Sequence, residues 1–418
     1  MSPIVLVVMD GASDRLSAHK TPLEAASTPY LDKFAQDGIL GSMYTVGRGI
    51  APESDAGVFS ILGYDPLETH LSRGIVETLG AGVKFEDGDL ALRAGFATVQ
   101  GGKLVDRRAG RDLSTQEAHE LAIAVNEKLR LKNIRFEFKA TIGHRAVVVF
   151  RKDSQSFSSN ISNFDPAYMR KGNISIAQPA QKEYDIPKCE PLDGSHASIT
   201  SAALVNEFGY KTRQAIDNHP VNQKRKSLGK KPANFVLMRD PGTSIPNIES
   251  FQEKWNLNPA LVADLPAELG IGRLLKMDVK EVSAGTSATD YRNRADLVLK
   301  LAGQYSFVYV HLKGPDEPGH DGMFELKKQR IEGIDSRFFS TLHKASTATR
   351  MTICVTCDHS TPWVTKGHSD DPVPVLITGP RAPGVSRPRF TESNAVKGSL
   401  GLLEHGWMLM ERLVRVTT

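Results

Sequence analysis

The sequence has only three cysteines among its 418 residues, and it has no long apolar run. Three cysteines do not make the disulfide framework that is typical of small exported domains. A membrane-spanning helix requires about 20 consecutive apolar residues. The first apolar stretch, Ile4–Met9, is much shorter and lacks the basic start of a secretion signal. We therefore expect a cytoplasmic protein in a reducing environment, with no membrane partner.

An excess of charge of one sign is also missing, since 52 Lys and Arg residues stand against 48 Asp and Glu residues and the formal net charge is +4. Spread over this length, such an excess does not predict binding to nucleic acid. The basic run Lys224–Lys231 is better interpreted as a solvated loop than as a nucleic-acid patch. Small molecules are thus the partners to expect.

Two of the cysteines, Cys354 and Cys357, have the spacing of a redox or zinc motif. They lie in an apolar run that is typical of a strand, where residues three apart point to opposite faces. We therefore expect neither redox nor zinc chemistry from this pair.

Hydrophobic residues make up 40% of the chain and charged residues 24%, which is ordinary for a globular enzyme with a sizeable core. The length favours two domains, with one large domain as the alternative. Several short runs, apolar throughout rather than alternating, are typical of buried parallel strands. With helices predicted between some of them, over Arg292–Ala302 and Glu325–Thr341, they indicate an α/β fold whose mostly parallel sheet is flanked by helices. The strand runs are Ile4–Met9, Phe235–Met238, Phe307–Leu312, Met351–Thr356 and Val373–Thr378.

A different pattern fills the middle of the chain. Two strands joined by a glycine turn, a polar helix and two further strands are predicted there in succession. This block predicts a smaller α+β domain, inserted at residues 78–185 into a core formed by residues 1–77 and 186–418. Its elements are Leu90–Val99, Lys103–Val105, Ser114–Leu129, Arg135–Lys139 and Ala146–Phe150.

Three of the predicted core strands lead into an aspartate, which is Asp10, Asp316 or Asp358. In open α/β sheets, ligands bind beyond the carboxyl ends of the strands, so these carboxylates should meet at one edge of the sheet. Taken singly, each aspartate is more often a turn or helix-capping residue.

Histidines accompany two of these aspartates. His320 follows Asp316 at a distance of four residues, His359 directly follows Asp358, and His368 comes shortly after. Carboxylate and imidazole together suit divalent transition ions. Carboxylates crowded together without a cation would raise one another's pKa and destabilise the fold. The combined set therefore predicts a metal site, although a single histidine is more often an ordinary surface residue.

Ser54 lies between a glycine-containing loop and an apolar run that predicts the start of a helix. From position alone, a helix cap is at least as good an interpretation as catalysis. Backbone amides at a helix N-terminus also attract a phosphoryl group, and a bound metal lowers the pKa of a hydroxyl group. Paired ions would stabilise the attacking and leaving oxygens of an in-line displacement. The pattern thus indicates a phosphoryl-transfer enzyme with Ser54 as the nucleophile.

Arginines offer the planar, bidentate donors that phosphate and carboxylate groups require. The predicted insert supplies them in DRRAGR and, beside His144, in GHR, and the predicted core supplies one at the end of NFVLMRD. Surface solvation is the alternative interpretation, but the first group lies in a compact glycine-containing loop after a hairpin, which favours ligand binding. The candidates are Arg107, Arg108, Arg111, Arg145 and Arg239.

Together these residues resemble the archaeal-type cofactor-independent phosphoglycerate mutases of the alkaline phosphatase superfamily. The DGASDR opening and the last two motifs are specific to that family. The matching motifs run over nearly the whole chain and are VLVVMDGASDR, SDAG with LGYDP, RGIVETLGAG, GDLALRAGFATV, DRRAGR, HRAVVV, HPVN with PAN, VHLKGPDEPGHDG with IEGID, and TCDHSTPWVTKGHSDDPVP.

The resemblance implies a phosphatase-like, metal-binding core that carries an inserted lid. It implies interconversion of 3-phosphoglycerate and 2-phosphoglycerate in glycolysis and gluconeogenesis, without 2,3-bisphosphoglycerate. Ser54 would carry the phosphoryl group as phosphoserine while the glycerate reorients, the lid would exclude water, and the arginines of the insert would bind the substrate. Two divalent ions (Mn, Zn, Co or Mg) are implied, one held by Asp316, His320 and His368 and the other by Asp10, Ser54, Asp358 and His359.

Several positions depart from the family pattern, while the metal ligands and the nucleophile are intact. Because the departures fall around expected substrate contacts, a phosphatase and a mutase of another small phosphorylated acid stay open. A weakly active paralogue that senses phosphometabolites is an alternative from a different class. The sequence leaves the metal and the oligomeric state open, a homo-oligomer included. The departures are Val58 for histidine, Ile75-Val76 for proline and phenylalanine, RDPG at Arg239-Asp240 for RGAG, and Ser283–Tyr291 for the usual Gly-Ala-Thr-Gly and Asp-Thr-Asn stretches.

Overall fold

The computed structural model describes residues 2–69, 71–152, 157–171, 174–178, 181–346, 350–379 and 388–417. The chain divides into two compact units, one formed by Met1–Thr69 with Ile248–Thr418 and the other by His70–Asn247. The second unit contains the whole predicted insert, residues 78–185, and extends beyond it on both sides. Residues 186–247, which the sequence analysis assigns to the core, cluster with the second unit because their long helix and their strand pack against its sheet.

The first unit is built on an eight-stranded, mostly parallel sheet, with helices before and after its strands. From one edge to the other, its strands are Asp278–Glu281, Pro259–Ala263, Phe307–Leu312, Ile4–Met9, Thr352–Thr356, Val373–Thr378, Gly38–Met43 and Gly401–Leu403. The α/β fold class predicted from the sequence is thereby confirmed.

The direction of one strand of this sheet differs from the predicted direction. Val373–Thr378 is fully buried, as its apolar sequence indicated, but it pairs in antiparallel fashion with both Thr352–Thr356 and Gly38–Met43. The predicted parallel direction is wrong for this strand. An apolar run indicates that a strand is buried on both faces of the sheet. An antiparallel strand in the interior of a covered sheet is buried in the same way as its parallel neighbours, so the run does not determine the direction of the strand.

The helices of the first unit include both of those predicted from the sequence. Ala288–Ala302 begins earlier than expected because Ser287 and Asp290 form a capping box at its start. The second predicted helix is Phe324–Ile334, which continues through a π-helical turn, Asp335–Phe339, into Ser340–Ser346. The others are Pro22–Ala25, Pro29–Gln36, Ser54–Ile61, Pro66–Thr69, Phe251–Trp255, Pro266–Leu274, Asp316–Asp321, Glu392–Val396 and Leu409–Thr417, with a 3-10 turn at Gly406–Met408.

The second unit is an antiparallel sheet with helices, as predicted for an α+β domain. Its sheet runs in the order Arg135–Ala140, Arg145–Arg151, Leu90–Gln100, Lys103–Asp106 and Tyr184–Asp185, and Phe235–Gly242 also pairs with Leu90–Gln100. A separate hairpin joins Tyr168–Lys171 to Ile174–Ala177. Its helices are Arg73–Gly80, Thr115–Lys128, His196–Ile216 and Pro220–Ser227, with a 3-10 turn at Ala109–Arg111. Across both units, no helix among the described residues is long and apolar enough to span a bilayer.

Two further predictions fail in the second unit. Phe235–Met238, expected as a parallel strand of the core, is part of an antiparallel strand of this sheet. Lys224–Lys231, expected as a solvated loop, begins within helix Pro220–Ser227, and its Arg225 is fully buried. The Arg225 guanidinium lies 2.5 Å from a carboxylate oxygen of Asp112 and 3.2 Å from one of Glu117. These partners lie more than 100 residues away in the sequence, so the local run of basic residues gave no sign of them.

A buried lysine of helix Phe324–Ile334 fixes two loops of the first unit. The ammonium group of Lys327 donates to the backbone oxygens of Ser13 and Thr361, at 2.9 and 2.7 Å, and to the Asp14 carboxylate at 3.0 Å. Each of its three protons thus has an acceptor, which is the condition for keeping a charged group in the interior. One side chain therefore ties together the loops that follow two neighbouring strands.

Replacing this lysine should cost much of the stability of the first unit. In Lys327→Met, the buried Asp14 carboxylate loses its cationic partner and two buried carbonyl groups lose the ammonium donor, so we expect the free energy of unfolding to fall by about 3–5 kcal/mol. Urea unfolding followed by circular dichroism measures this change. The neighbouring Lys328, which pairs with Glu325 at the surface, is the matched control, and Lys328→Met should cost at most about 1 kcal/mol. Equal losses in both variants would contradict the assigned role.

Glu392 is a second buried titratable residue in the same region. Its carboxylate accepts hydrogen bonds from the Asp14 amide at 2.9 Å and from the Thr21 hydroxyl at 2.8 Å. Burial raises the pKa of Glu392 to about 7 from its ordinary value of 4.5. A raised pKa means that the protonated form is the one that the fold stabilises. That contribution is complete below pH 4.5 and is lost as the pH rises through 7.

Glu392→Gln should therefore change how stability depends on pH. Relative to the variant, the wild-type chain should lose about 3 kcal/mol of unfolding free energy between pH 4.5 and pH 8, because glutamine has no proton to release. Urea unfolding at several pH values provides the comparison, with exposed Glu325→Gln as the control. Parallel pH profiles for wild type and Glu392→Gln would show that Glu392 titrates normally.

Candidate active site

Ser54 is the first residue of helix Ser54–Ile61, and the cap position belongs to Glu53. The Ser54 hydroxyl therefore does not cap the helix and lies instead 3.2 Å from Nε2 of His359. The helix can approach so closely because Gly57 has no side chain: a Cβ there would lie 2.3 Å from the backbone oxygen of Asp358. Of the two interpretations of Ser54, the structure favours the one in which its oxygen faces the candidate ligands.

Two further predicted ligands lie beside His359. Nε2 of His359 lies 3.4 Å from Oδ1 of Asp10 and 3.3 Å from Oδ2 of Asp358. The other oxygen of Asp358 accepts hydrogen bonds from the amides of Gly11 and His359, each at 3.1 Å. The Asp358 carboxylate is thus oriented by backbone donors, with one oxygen left to point at the cluster.

The remaining predicted ligands form an adjoining group. Oδ1 of Asp316 lies 3.5 Å from Nε2 of His320 and 3.7 Å from Nε2 of His368. Nδ1 of His368 lies 2.7 Å from the backbone oxygen of Pro52, which favours the tautomer that leaves Nε2 free to bind. The ring of His359 stacks on that of His368, with centroids 3.6 Å apart. The two groups therefore meet in one continuous cluster.

The sheet explains why these residues meet. Strand Ile4–Met9 lies between Phe307–Leu312 and Thr352–Thr356, and all three are parallel. Their carboxyl ends therefore lie side by side, and each chain segment delivers its aspartate just beyond the sheet. Gly11 permits the tight packing, because it has a φ of +56° and a Cβ there would lie 2.7 Å from a carboxylate oxygen of Asp316.

The donor set fits divalent metal. Three groupings of described side chains bring carboxylate and imidazole atoms within 4.8 Å of one another: Asp316 with His320 and His368, Asp10 with Asp316 and His359, and Asp10 with His311 and Asp358. Among the buried polar atoms of the described residues, Oδ1 of Asp10 and Oδ2 of Asp358 have no hydrogen-bond donor. Burial and the neighbouring Asp10 carboxylate raise the pKa of Asp358 well above its usual value. A cation at this position would supply the missing partner and relieve the repulsion.

The cluster contains three further residues that the sequence analysis did not predict, which are Lys313, Glu268 and His311. The Lys313 ammonium lies 2.8 Å from Oδ2 of Asp10 and 2.9 Å from Oε1 of Glu268, and Nε2 of His311 lies 3.5 Å from the same Glu268 oxygen. Burial raises the pKa of Asp10, but Lys313, His311 and His359 together lower it by more, so that the net pKa is below the ordinary value. His311 lies in the apolar strand Phe307–Leu312 and Lys313 directly follows it, in VHLKG. A polar residue in a buried apolar run is the pattern from which a role in the site was predictable.

The predicted arginines all lie in the second unit, where they form two groups. Arg107 makes a bidentate pair with Asp165, and both Arg107 and Arg239 stack on the ring of Tyr168. Arg239, expected in the core, is therefore part of the same unit as the others. Its pKa is raised, because Asp240 and other neighbours outweigh the effect of burial.

The second arginine group surrounds His144. Burial and the nearby guanidinium groups of Arg145, Arg108, Arg93 and Arg111 lower the pKa of His144 to about 3, so its ring is neutral at pH 7. This group is therefore a concentration of positive charge, to which an anion would be attracted.

Two arginines of the second unit were missed. Arg73 and Arg93 both hold the buried Glu77 carboxylate, through Nε at 2.9 and 3.1 Å. Both lie in motifs that carried the family resemblance, RGIVETLGAG and GDLALRAGFATV. The substituted residues Ile75 and Val76 lie in helix Arg73–Gly80 and are buried.

Comparison with known proteins supports the family resemblance found in the sequence. The family model of 2,3-bisphosphoglycerate-independent phosphoglycerate mutase matches residues 35–222. Curated relatives that carry this name include one from Aeropyrum pernix, 40% identical over 98% of both chains, and one from Methanopyrus kandleri, 36% identical over 95% of this chain and 92% of the relative.

Two solved structures also match over the full length. A Pyrococcus horikoshii protein superposes with a TM-score of 0.78 at 29% identity, covering 100% of this chain and 98% of the other. The cofactor-independent phosphoglycerate mutase of Thermoplasma acidophilum superposes with a TM-score of 0.65 at 32% identity, covering 100% of both chains.

A divalent ion should stabilise the first unit measurably. We expect Mn²⁺ added to chelator-treated protein to raise the melting temperature, because an ion at a hundred times its Kd contributes about 2.7 kcal/mol. Asp316→Ala should abolish most of the rise, since Asp316 contributes to two of the three groupings. Differential scanning calorimetry measures it, with His19→Ala on the exposed surface as the control. An undiminished shift in Asp316→Ala would place the ion elsewhere.

Proposed function

The chain belongs to the family of the 2,3-bisphosphoglycerate-independent phosphoglycerate mutases, and we propose that it transfers the phosphoryl group between O3 and O2 of glycerate through Ser54. The observation that carries the proposal is the position of the Ser54 hydroxyl, 3.2 Å from His359 within the cluster of carboxylates and imidazoles. This activity serves glycolysis and gluconeogenesis. It needs no 2,3-bisphosphoglycerate, because the serine itself stores the phosphoryl group.

In the proposed first step, Oγ of Ser54 loses its proton and attacks the phosphorus of 3-phosphoglycerate. The Oγ–P bond forms as the P–O3 bond breaks, and O3 of the departing glycerate takes up a proton. The position of Ser54 at the start of helix Ser54–Ile61 supports this role, because the backbone amides at a helix N-terminus attract anions. The glycerate then reorients, and its 2-hydroxyl attacks phosphoserine in the reverse sense to give 2-phosphoglycerate.

We propose that two divalent ions complete the site, one on Asp316, His320 and His368 and the other on Asp10, Ser54, Asp358 and His359. When bound, the ions would lower the pKa of the serine hydroxyl and stabilise the attacking and leaving oxygens. Oxygen and imidazole donors admit Mn, Zn, Co or Mg. Lys313 supports the set by holding Oδ2 of Asp10, so that Oδ1 is the oxygen left to bind.

The second unit is proposed to hold the glycerate and to act as a lid over the phosphoserine. Its arginines supply the donors for an anionic substrate, and Arg107, Arg108, Arg111, Arg145 and Arg239 are the candidates from the sequence. Exclusion of water during the reorientation would separate a mutase from a phosphatase. The small-molecule substrate agrees with the absence of a strong overall charge, since the formal net charge is +4.

A cytoplasmic, reducing location belongs to the same proposal. Cys189, Cys354 and Cys357 are all buried with free thiols, and burial raises the pKa of each. A protonated, buried thiol is a poor nucleophile, which suits a structural role in a reducing compartment.

An enolase-coupled assay tests the function. Purified protein given 3-phosphoglycerate should form 2-phosphoglycerate when Mn²⁺ is present and not after metal removal, and Ser54→Ala should reduce kcat by at least about a thousandfold because no phosphoserine can form. Ser17→Ala, on the exposed surface, is the matched control and should keep full activity.

Measurement of free phosphate in the same reactions distinguishes the proposed mutase from a phosphatase. A phosphatase, or a mutase of another small phosphorylated acid, would share the serine and the metal requirement. Stoichiometric phosphate release would replace the mutase by a phosphatase, and turnover that persists in Ser54→Ala would remove the nucleophile from its role. No turnover with any metal would direct the search to other phosphorylated acids.

A further inference from the structure

Tyr168 of the second unit lies between two arginines. The guanidinium carbon of Arg239 is 3.6 Å from the centroid of the tyrosine ring, and that of Arg107 is 4.9 Å from the same centroid. Asp165 holds Arg107 from the side through two contacts at 2.8 and 2.5 Å. Stacking on a ring fixes the plane of a guanidinium group, so that an anion must approach it edge-on.

Asp240, next to Arg239, has an unusual backbone conformation. Its φ of 56° lies in the left-handed region that favours glycine, and glycine is the residue that the family pattern has at this position. Its carboxylate lies 3.6 Å from Nε of Arg239. The backbone is fixed on both sides, since the Asp240 amide donates to Asn163 at 3.1 Å and the carbonyl group accepts from Ser72 at 2.8 Å. A strained residue that persists beside a candidate binding group indicates that its side chain has a function.

Carboxylates offset part of the positive charge around Arg239. Arg93 is the register partner of Arg239 on the neighbouring strand, and it shares the buried Glu77 carboxylate with Arg73. Counted with Arg107 and with Arg170, whose charge interacts with that of Asp240, five arginines thus face the carboxylates of Glu77, Asp165 and Asp240, which offset three of the five positive charges. The group around His144 differs, because its arginines concentrate positive charge around a neutral imidazole.

We propose that Tyr168 and Asp240 are positioning residues that make Arg239 a site for a singly charged carboxylate and disfavour a doubly charged phosphate there. Tyr168 fixes the plane of the guanidinium, and Asp240 occupies its Nε side. The Asp240 charge repels a dianion about twice as strongly as a monoanion at the same distance, because the Coulomb energy scales with the product of the charges. The inference rests on the proposed function, in which the metal ligands take the phosphoryl group and the glycerate carboxylate needs a second site.

Direct binding of two probes tests the role of Asp240. Glycerate and inorganic phosphate are titrated by calorimetry at pH 8 into the full chain, in chelator so that phosphate does not bind at the proposed metal ligands. Asp240→Asn removes the charge and keeps a residue that tolerates a positive φ. We expect the Kd for phosphate to fall by about fivefold or more and the Kd for glycerate to change by at most about twofold. Asp240→Gly should behave in the same way, because the charge and not the strain sets the preference.

Tyr168 is tested with a pair of variants. Tyr168→Ala should raise the Kd for glycerate by about tenfold, since the guanidinium plane is no longer fixed, whereas Tyr168→Phe keeps the ring and should stay within about twofold of wild type. Exposed Glu183→Gln, which changes the charge of the same unit equally, is the control and should alter neither Kd.

An unchanged ratio of the two Kd values in Asp240→Asn would overturn the assignment, as would equal losses in Tyr168→Phe and Tyr168→Ala or a wild-type chain that binds neither probe. The same variants are then assayed with 3-phosphoglycerate and Mn²⁺. The expected ligand preference without any mutase turnover would reject the proposed substrate and leave the carboxylate site in place. Turnover without the ligand preference would reject the carboxylate site alone.

Discussion

The arrangement of the first unit depends on the mutual repulsion of buried carboxylates. Asp10, Asp358 and Glu268 are almost completely buried at the end of the sheet, with Asp316 beside them. Negative charges at such distances in a poorly solvated site cannot all remain ionised without cations. Lys313 supplies one cation between Asp10 and Glu268. We propose that the remaining charge makes the cluster a site for divalent metal rather than a set of ordinary turn residues.

The loops that carry these side chains are held from behind. Lys327 joins the segments at Ser13 and Thr361, and backbone amides fix one oxygen of Asp358. Glycines at positions 11 and 57 remove the side chains that would otherwise fill the space between the segments. Placement of ligands on the ends of parallel strands, with a rigid support behind them, keeps the candidate atoms close enough to share an ion.

The second unit likewise contains a concentration of like charges, which are positive here. Its arginines are brought together by an antiparallel sheet, and carboxylates compensate one group of them more fully than the other. The buried Arg225, which lies in the basic run Lys224–Lys231, holds the Arg107–Arg111 motif through Ala109 and the residue after the motif, Asp112. Several family motifs of this unit thus serve the backbone as well as the chemistry: Asn222, in HPVN, bonds the backbone of Ile216 and Ala233.

The sequence by itself determined the α/β class and the bounds of strands such as Ile4–Met9 and Phe307–Leu312, and it predicted six carboxylate and imidazole ligands at the strand ends, because strand apolarity and motif spacing are local properties. Only the tertiary structure decided the direction of Val373–Thr378, the membership of Phe235–Gly242 in the second unit, and the presence of Lys313, Glu268 and His311 beside the ligands. Strand direction and the partner of a charged side chain depend on segments far away in the chain. A local pattern therefore predicts that a residue is buried or charged, and only the fold shows which charges meet.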